Sequence, residues 1–132
     1  MTTHAASSIA MKQWDERSYA ETEGTPKMTR ANGADLYHGD IEGESTFELL
    51  MIYGDDGLTP FVGLERFVGR IGEREGSFAF SINGAHQNGQ VKATIAVIPG
   101  SATGDLKGLR GKGELAWLDE KTSSFTLDYD FE

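Results

Sequence analysis

The sequence predicts an all-β protein that folds as a closed, antiparallel, up-and-down barrel of eight strands. Apolar and polar residues alternate along most of the chain, which is typical of half-buried strands. The 17 glycines are spread evenly and only 3 prolines accompany them, which indicates many turns rather than a linker. Mostly short loops join eight such segments, and closing an eight-stranded meander removes both of its exposed edges.

The strands are predicted one by one from this alternation. Asp-Gly in GDDG (54–57) and the Asn-Gly pairs of NGAHQNG (83–89) are strong turn signals, and ERSYAETEGTPK (16–27) is predicted to be a long loop. The predicted strands are IAMKQW (9–14), a weakly apolar segment near 27–39, EGESTFELLMIY (42–53), TPFVGLERFVGRI (59–71), SFAFSI (77–82), QVKATIAVI (90–98), ELAWL (114–118) and FTLDYDF (125–131).

A chain of 132 residues is sufficient for one domain. We expect residues 1–8 to be a disordered N-terminal tail and residues 9–132 to form a single β-barrel domain. The N-terminus has no basic segment followed by an apolar one, so no signal peptide is predicted. No apolar run approaches the length of a membrane helix. The predicted location is therefore the cytoplasm, without a membrane partner.

Composition argues against several classes of function. The absence of cysteine excludes disulfides and thiolate chemistry. A net charge of −9, with basic residues scattered singly, argues against nucleic acid as a partner. His4, His38 and His86 lack the spacing of metal ligands, so no metal and no cofactor are expected. There is no G-x-S-x-G motif, which argues against a serine hydrolase.

The glycine-rich segment VIPGSATGDLKGLRGKGEL (97–115) is predicted to bend the chain. A phosphate-binding loop needs G-x-x-x-x-G-K-[ST], but here Leu106 stands at the first glycine and Gly113 at the hydroxyl position. Pro99 and Gly100 end a strand, and Gly111 and Gly113 are typical of a bulge or a tight barrel bend.

The same segment carries a family resemblance. With TR at 29–30, GDIEGES at 39–45, FVGLERFVG at 61–69 and GSF at 76–78, it resembles an uncharacterised family of small, mostly bacterial proteins over residues 9–132. Its glycine corner is also similar to one in allene oxide cyclases and plant dirigent proteins. The resemblance implies an allene oxide cyclase-like, calycin-like barrel and leaves the activity open. Ser45 and SINGAHQNGQV (81–91) depart from the family pattern.

One charged residue of the segment 61–70 is predicted to lie inside the barrel. Side chains alternate between faces in a strand, so one face carries Glu65 and the other Arg66 and Arg70. We expect Glu65 to point inward, because phenylalanines and glycines share its face. Burial could raise its pKa and make it a catalytic acid or base, or it could be a paired structural carboxylate. Allene oxide cyclases also hold a carboxylate in an apolar barrel, which is an analogy only.

Aromatic residues are the other candidate site residues, either as a ligand surface or as plain core. The candidate ligand contacts are Trp14, Tyr53, Phe61, Phe67, Phe78, Phe80, Trp117 and Tyr129. Asp40, Glu42, Glu44 and Glu48 share one strand face, where their oxygens could hold calcium but fit a solvated outer face better.

Three functions stay open at this point. The barrel could bind a small apolar ligand in its lumen, which requires only an open interior. It could be an isomerase or cyclase resembling allene oxide cyclase, with one inward carboxylate assisting. It could also be a filled barrel with a structural or assembly role. Ala96–Pro99 and ELLMIY (48–53) are apolar on both faces, which predicts a homo-oligomer, a dimer or trimer, that covers part of the exterior.

Overall fold

Eight long strands close into an antiparallel barrel in the computed structural model, which describes residues 2–20 and 22–132. Each long strand pairs with the next long strand along the chain and the last pairs with the first, while a two-residue strand at Thr103–Gly104 pairs with the strand Arg74–Gln87 outside this order. The predicted up-and-down eight-stranded barrel is therefore confirmed. The strands are β1 (Thr3–Ala20), β2 (Met28–Gly39), β3 (Ile41–Ile52), β4 (Thr59–Ile71), β5 (Arg74–Gln87), β6 (Gln90–Val97), β7 (Thr103–Gly104), β8 (Leu109–Trp117) and β9 (Ser123–Phe131), with a 3₁₀ turn at Asp55–Gly57.

The first strand is longer at both ends than the sequence predicted. β1 pairs with β9 from Thr3 to Ser7, so the expected tail over residues 1–8 is corrected for the part from Thr3 onward. Small residues such as Ala5 and Ser7 face inward there and give a weak periodic signal. At its other end β1 pairs with β2 as far as Ala20, within the segment expected to be a loop. Met1 and Glu21 lie outside the described residues.

Only the second Asn-Gly pair forms a turn. Asn88 and Gly89 join β5 to β6 with positive φ angles of 55° and 77°. Asn83 and Gly84 instead continue β5 and pair with Thr94 and Ala93 of β6. The strand is therefore longer than predicted, because cross-strand pairing outweighs the local turn preference.

The glycine-rich segment bends the chain, as its sequence predicts. Gly100, Gly104 and Gly108 have φ angles of 81°, 63° and 88°, a region that favours glycine. The segment continues into β8, not into the helix that follows a phosphate-binding loop. Between these turns Leu106 is fully buried in the core.

One half of the barrel interior is filled by aromatic rings. Tyr37 packs edge-on against Phe67 and Phe125, with ring centroids 5.4 and 5.1 Å apart. Phe78 contacts Phe67 and Phe80 at 5.3 and 5.8 Å. These side chains are buried and form a dense core with Ile41, Ile71, Leu109 and Leu127.

The other half of the interior is open. A cavity of about 610 Å³ occupies it, bounded by the halves of the strands that lie away from the aromatic core. No helix of the described residues is long and apolar enough to cross a membrane.

Two alanine substitutions on the same face of β4 compare the two halves. Phe67→Ala should lower the free energy of unfolding by about 3–5 kcal/mol, because the ring is fully enclosed. The loss of unfolding free energy in Phe61→Ala should be at least about 1 kcal/mol smaller than in Phe67→Ala, because the Phe61 ring borders the cavity and gives up fewer contacts. Urea unfolding followed by circular dichroism measures both. Equal losses would mean that the cavity end is packed as tightly as the aromatic end.

Candidate functional site

The walls of the cavity are mainly apolar and aromatic. Trp14 of β1 packs against Phe47 of β3, with ring centroids 5.9 Å apart. Gly33 of β2 makes this possible, since a Cβ atom there would lie 2.6 Å from Phe47 Cζ. The remaining apolar lining residues are Met11, Leu49, Met51, Tyr53, Phe61, Ile82, Val91, Leu115 and Trp117.

Glu65 lies deep in the barrel, next to the boundary between the cavity and the aromatic core. Its side chain is only 2% exposed, whereas its neighbour Arg66 is exposed, which is the orientation expected from the sequence. Its Oε2 atom accepts hydrogen bonds from Tyr37 Oη and from Ser45 Oγ, the latter at 2.5 Å. Burial raises the pKa of Glu65, although these two hydrogen bonds act in the opposite direction.

The surroundings of Tyr37 keep its hydroxyl group protonated, so that it is a hydrogen-bond donor to Glu65. Burial and the neighbouring charge of Glu65 raise the pKa of the Tyr37 hydroxyl well above its ordinary value. The phenol is therefore protonated at neutral pH and donates to Glu65.

Asp35 is a second buried carboxyl group beside Glu65. It lies opposite Ser45 in the β2–β3 register, lines the cavity and is 7% exposed. Its Oδ1 atom is buried and has no hydrogen-bond partner among the residues that the structure describes. Burial and the charge of Glu65 raise the pKa of Asp35 to about 7. Two like charges this deep in an apolar barrel repel each other, so at neutral pH the pair tends to retain a proton.

The mouth of the cavity is acidic. Glu16 of β1 accepts hydrogen bonds from Tyr53 Oη and, at 2.7 Å, from Thr29 Oγ1. Burial alone raises the pKa of Glu16, but these hydrogen bonds outweigh it and lower the pKa, so Glu16 is an anion. Asp119 lines the mouth and accepts from the backbone N–H groups of Lys121 and Thr122, at 2.8 Å each, which lowers its pKa.

Four of the eight aromatic residues proposed as ligand contacts line this cavity, namely Trp14, Tyr53, Phe61 and Trp117. Phe67, Phe78 and Phe80 belong to the filled half and are 0% exposed. Tyr129 packs edge-on against Phe131 at 5.9 Å and does not line the cavity either. Alternation along a strand gives the face of a residue, but it does not say which half of a lumen is filled.

The sequence analysis missed Asp35, Tyr37, Ser45 and Glu16 as members of the site. For Asp35 and Tyr37 the signal was the weak apolar content of the second strand, because Asp35 shares the inward face with Ala31 and Tyr37. Ser45 on β3 and Glu16 on β1 had no such signal. A strand with a carboxyl group on its core-facing side shows only weak alternation of apolar and polar residues in the sequence. In β2 this weak alternation coincides with the polar inner end of the cavity, where Asp35 lies.

The acidic residues of β3 form ion pairs on the outer surface. Glu42 pairs with Arg70 at 2.8 Å and Glu48 with Arg30 at 2.8 Å. Over the described residues, no group of three or more histidine, aspartate or glutamate side chains is arranged to hold a metal ion.

The family model described as "Protein of unknown function (DUF3224)" matches residues 5–129. The chain belongs to the DUF3224 family. A DUF3224 protein of unknown function from Shewanella oneidensis MR-1 has a solved structure that is 23% identical and superposes with a TM-score of 0.86, covering 100% of this chain and 99% of that one. That likeness shows the fold. No curated protein matches the sequence significantly.

The buried carboxyl pair predicts a fall in stability with rising pH. Asp35 stays protonated up to about pH 7 when folded but ionises near 3.8 when unfolded, so the folded state binds more protons between these values. The free energy of unfolding should therefore drop on the order of 3 kcal/mol from about pH 5 to about pH 7, at about 1.4 kcal/mol per pH unit, and then level off. Glu65 acts in the same direction.

Denaturant unfolding of the parent and of Asp35→Asn over this pH range measures the effect. The variant should lose most of the slope, while the surface substitution Glu44→Gln should keep it. A stability that rises through this range, or an equal slope in Asp35→Asn, would contradict the buried pair.

Proposed function

We propose that this DUF3224 protein binds a small, largely apolar ligand in the open half of its barrel. The observation that carries the proposal is the cavity of about 610 Å³, with aromatic walls and a small polar inner end. Ligand pockets in proteins typically measure about 300–1,000 Å³ and combine apolar walls with a few fixed polar groups.

The contrast between the two halves of the lumen supports binding over a filled structural barrel. The aromatic half shows that this sequence can pack the interior fully. An unfilled apolar cavity costs stability, because the atoms that line it lose packing partners. The lumen is open at one end only and has two buried carboxyl groups at the inner end of this open half. Ligand binding explains this arrangement better than a filled structural barrel does.

A second candidate is an isomerase or cyclase resembling allene oxide cyclase. The observation that favours it is Asp35, a cavity-lining carboxyl group with a pKa of about 7, which suits proton transfer at neutral pH. This shifts the candidate catalytic role from Glu65, whose Oε2 already accepts two hydrogen bonds, to Asp35. Under this alternative Asp35→Asn would abolish turnover and leave binding intact. The similarity of barrel type is an analogy.

A matched pair of substitutions tests the binding proposal. Val91 lines the cavity and its neighbour Lys92 points outward, so Val91→Trp narrows the cavity and Lys92→Trp does not. We expect Val91→Trp to weaken binding of the neutral fluorophore N-phenyl-1-naphthylamine by about tenfold, since overpacking costs about 1–3 kcal/mol.

The readout is energy transfer to the fluorophore from tryptophan. Both tryptophans of the chain, Trp14 and Trp117, line the cavity, so excitation at the indole band reports occupancy. Added tryptophans change the donor number equally in the two variants. Equal affinities for Val91→Trp and Lys92→Trp, or no binding to the parent, would overturn the proposal.

The homo-oligomer stays a prediction. Leu36, Leu50, Val62, Leu64 and Val68 are exposed on the outer side of β2, β3 and β4, and Leu64 is 57% exposed. If a second copy covers this surface, sedimentation velocity at micromolar concentration should show a dimer or trimer that Leu64→Glu dissociates. A monomeric parent protein would contradict it.

A further inference from the structure

The cavity combines an unpartnered hydrogen-bond acceptor with a one-sided set of charges. We propose that its ligand is an apolar molecule that ends in a protonated amine, and that the ammonium group binds at Asp35. The inference rests on the proposed function, because it names the ligand class of the same cavity.

Among the described residues, no side chain at the inner end of the cavity has a free hydrogen to donate, apart from the proton that the carboxyl pair retains. Tyr37 and Ser45 both donate to Glu65 Oε2, and Asp35 Oδ1 receives no hydrogen bond from the described chain. A carboxyl group without a partner is costly to bury, and part of that cost is recovered when a ligand donates an N–H group to the side of the Asp35 carboxyl that lines the cavity. An ammonium group brings up to three donors and a charge that Asp35 can compensate.

Every acidic side chain at the cavity favours a cation. Glu16, Asp119 and Glu120 surround the mouth, and Asp35 and Glu65 lie at its depth. No lysine or arginine of the described residues lines the cavity. The Lys27 ammonium lies 5.0 Å from the centre of the Tyr53 ring but is not part of the cavity lining. A carboxylate ligand would therefore meet mainly like charges along the cavity, which disfavours a ligand of the fatty-acid type.

The aromatic walls suit the same ligand. Trp14, Tyr53, Phe61 and Trp117 offer ring faces, which attract both alkyl chains and ammonium groups. The ammonium group thus binds at Asp35 at the inner end, and the apolar body of the ligand packs against these rings.

Binding of the cation should release a proton. The groups that face Asp35 are Glu65 from β4, Ser45 from β3 and Tyr37 from its own strand, while Glu16 of β1 and His86 of β5 line the same cavity. An ammonium group replaces the proton held by the carboxyl pair, so affinity should rise with pH to about pH 8 and fall by up to about tenfold per pH unit below about pH 7.

Calorimetry with three probes of equal length tests the ligand class. At about pH 8, 4-phenylbutylamine should bind at least about tenfold more tightly than 4-phenylbutan-1-ol, and 4-phenylbutanoate should bind most weakly. Titrations in two buffers with different ionisation enthalpies should show proton release for the amine only. Asp35→Asn should bring the amine to the affinity of the alcohol, whereas Glu44→Gln on the outer surface should bind as the parent does. His86→Gln distinguishes the source of the proton, because a pH dependence that disappears in this variant would assign proton release to His86 and overturn the inference.

The outcomes separate the two proposals. If N-phenyl-1-naphthylamine binds and the alcohol or the carboxylate matches the amine, the cavity is a binding site but the amine inference is overturned. If none of the three probes displaces the bound fluorophore, the amine inference also fails. If the fluorophore itself does not bind, the proposed function fails and this inference with it. The probe series uses the unaltered protein, so its result does not depend on whether Asp35→Asn folds.

Discussion

The alternation of side chains along β4 forces a charge into the barrel, and much of the interior is arranged around it. Glu65 and Arg66 occupy opposite faces of one strand, so one of them has to point inward. The structure turns Glu65 inward and places Tyr37 and Ser45 to donate to it. A buried carboxylate without such donors would cost several kcal/mol, roughly the stability of a small domain.

The hydrogen bonds of Glu65 fit a structural role, but Asp35 beside it does not, because its Oδ1 atom has no partner among the described residues. A second carboxyl beside the first raises the electrostatic cost of the interior, and neither Tyr37 nor Ser45 relieves Oδ1 of Asp35. Stability alone would favour an apolar residue here. Sites that carry such a cost are typically functional, and the open, aromatic-walled cavity above Asp35 provides room for the molecule that would offset it.

The sequence predicted the closed barrel and the direction of Glu65 because both follow from alternation, a local property. It did not predict β1 between Thr3 and Ser8, since the small residues there gain their order from pairing with β9, at the far end of the chain. Asp35 was missed for a similar reason. Its meaning depends on Ser45 and Glu65, which reach it only when three neighbouring strands are in register. Likewise, Phe67 and Phe61 look equivalent along the strand, although one fills the core and the other borders a cavity.

The most direct test of this account is carbon-13 NMR titration of the side-chain carboxyl groups of Asp35 and Glu65, assigned with Asp35→Asn. The account predicts that the Asp35 resonance shifts with a midpoint near pH 7 and that Glu65 responds to the same event, as in a pair that shares a proton. A midpoint for Asp35 near the ordinary value of 3.8 would show a hydrated, independently charged group. It would contradict the buried pair on which the proposed binding chemistry depends.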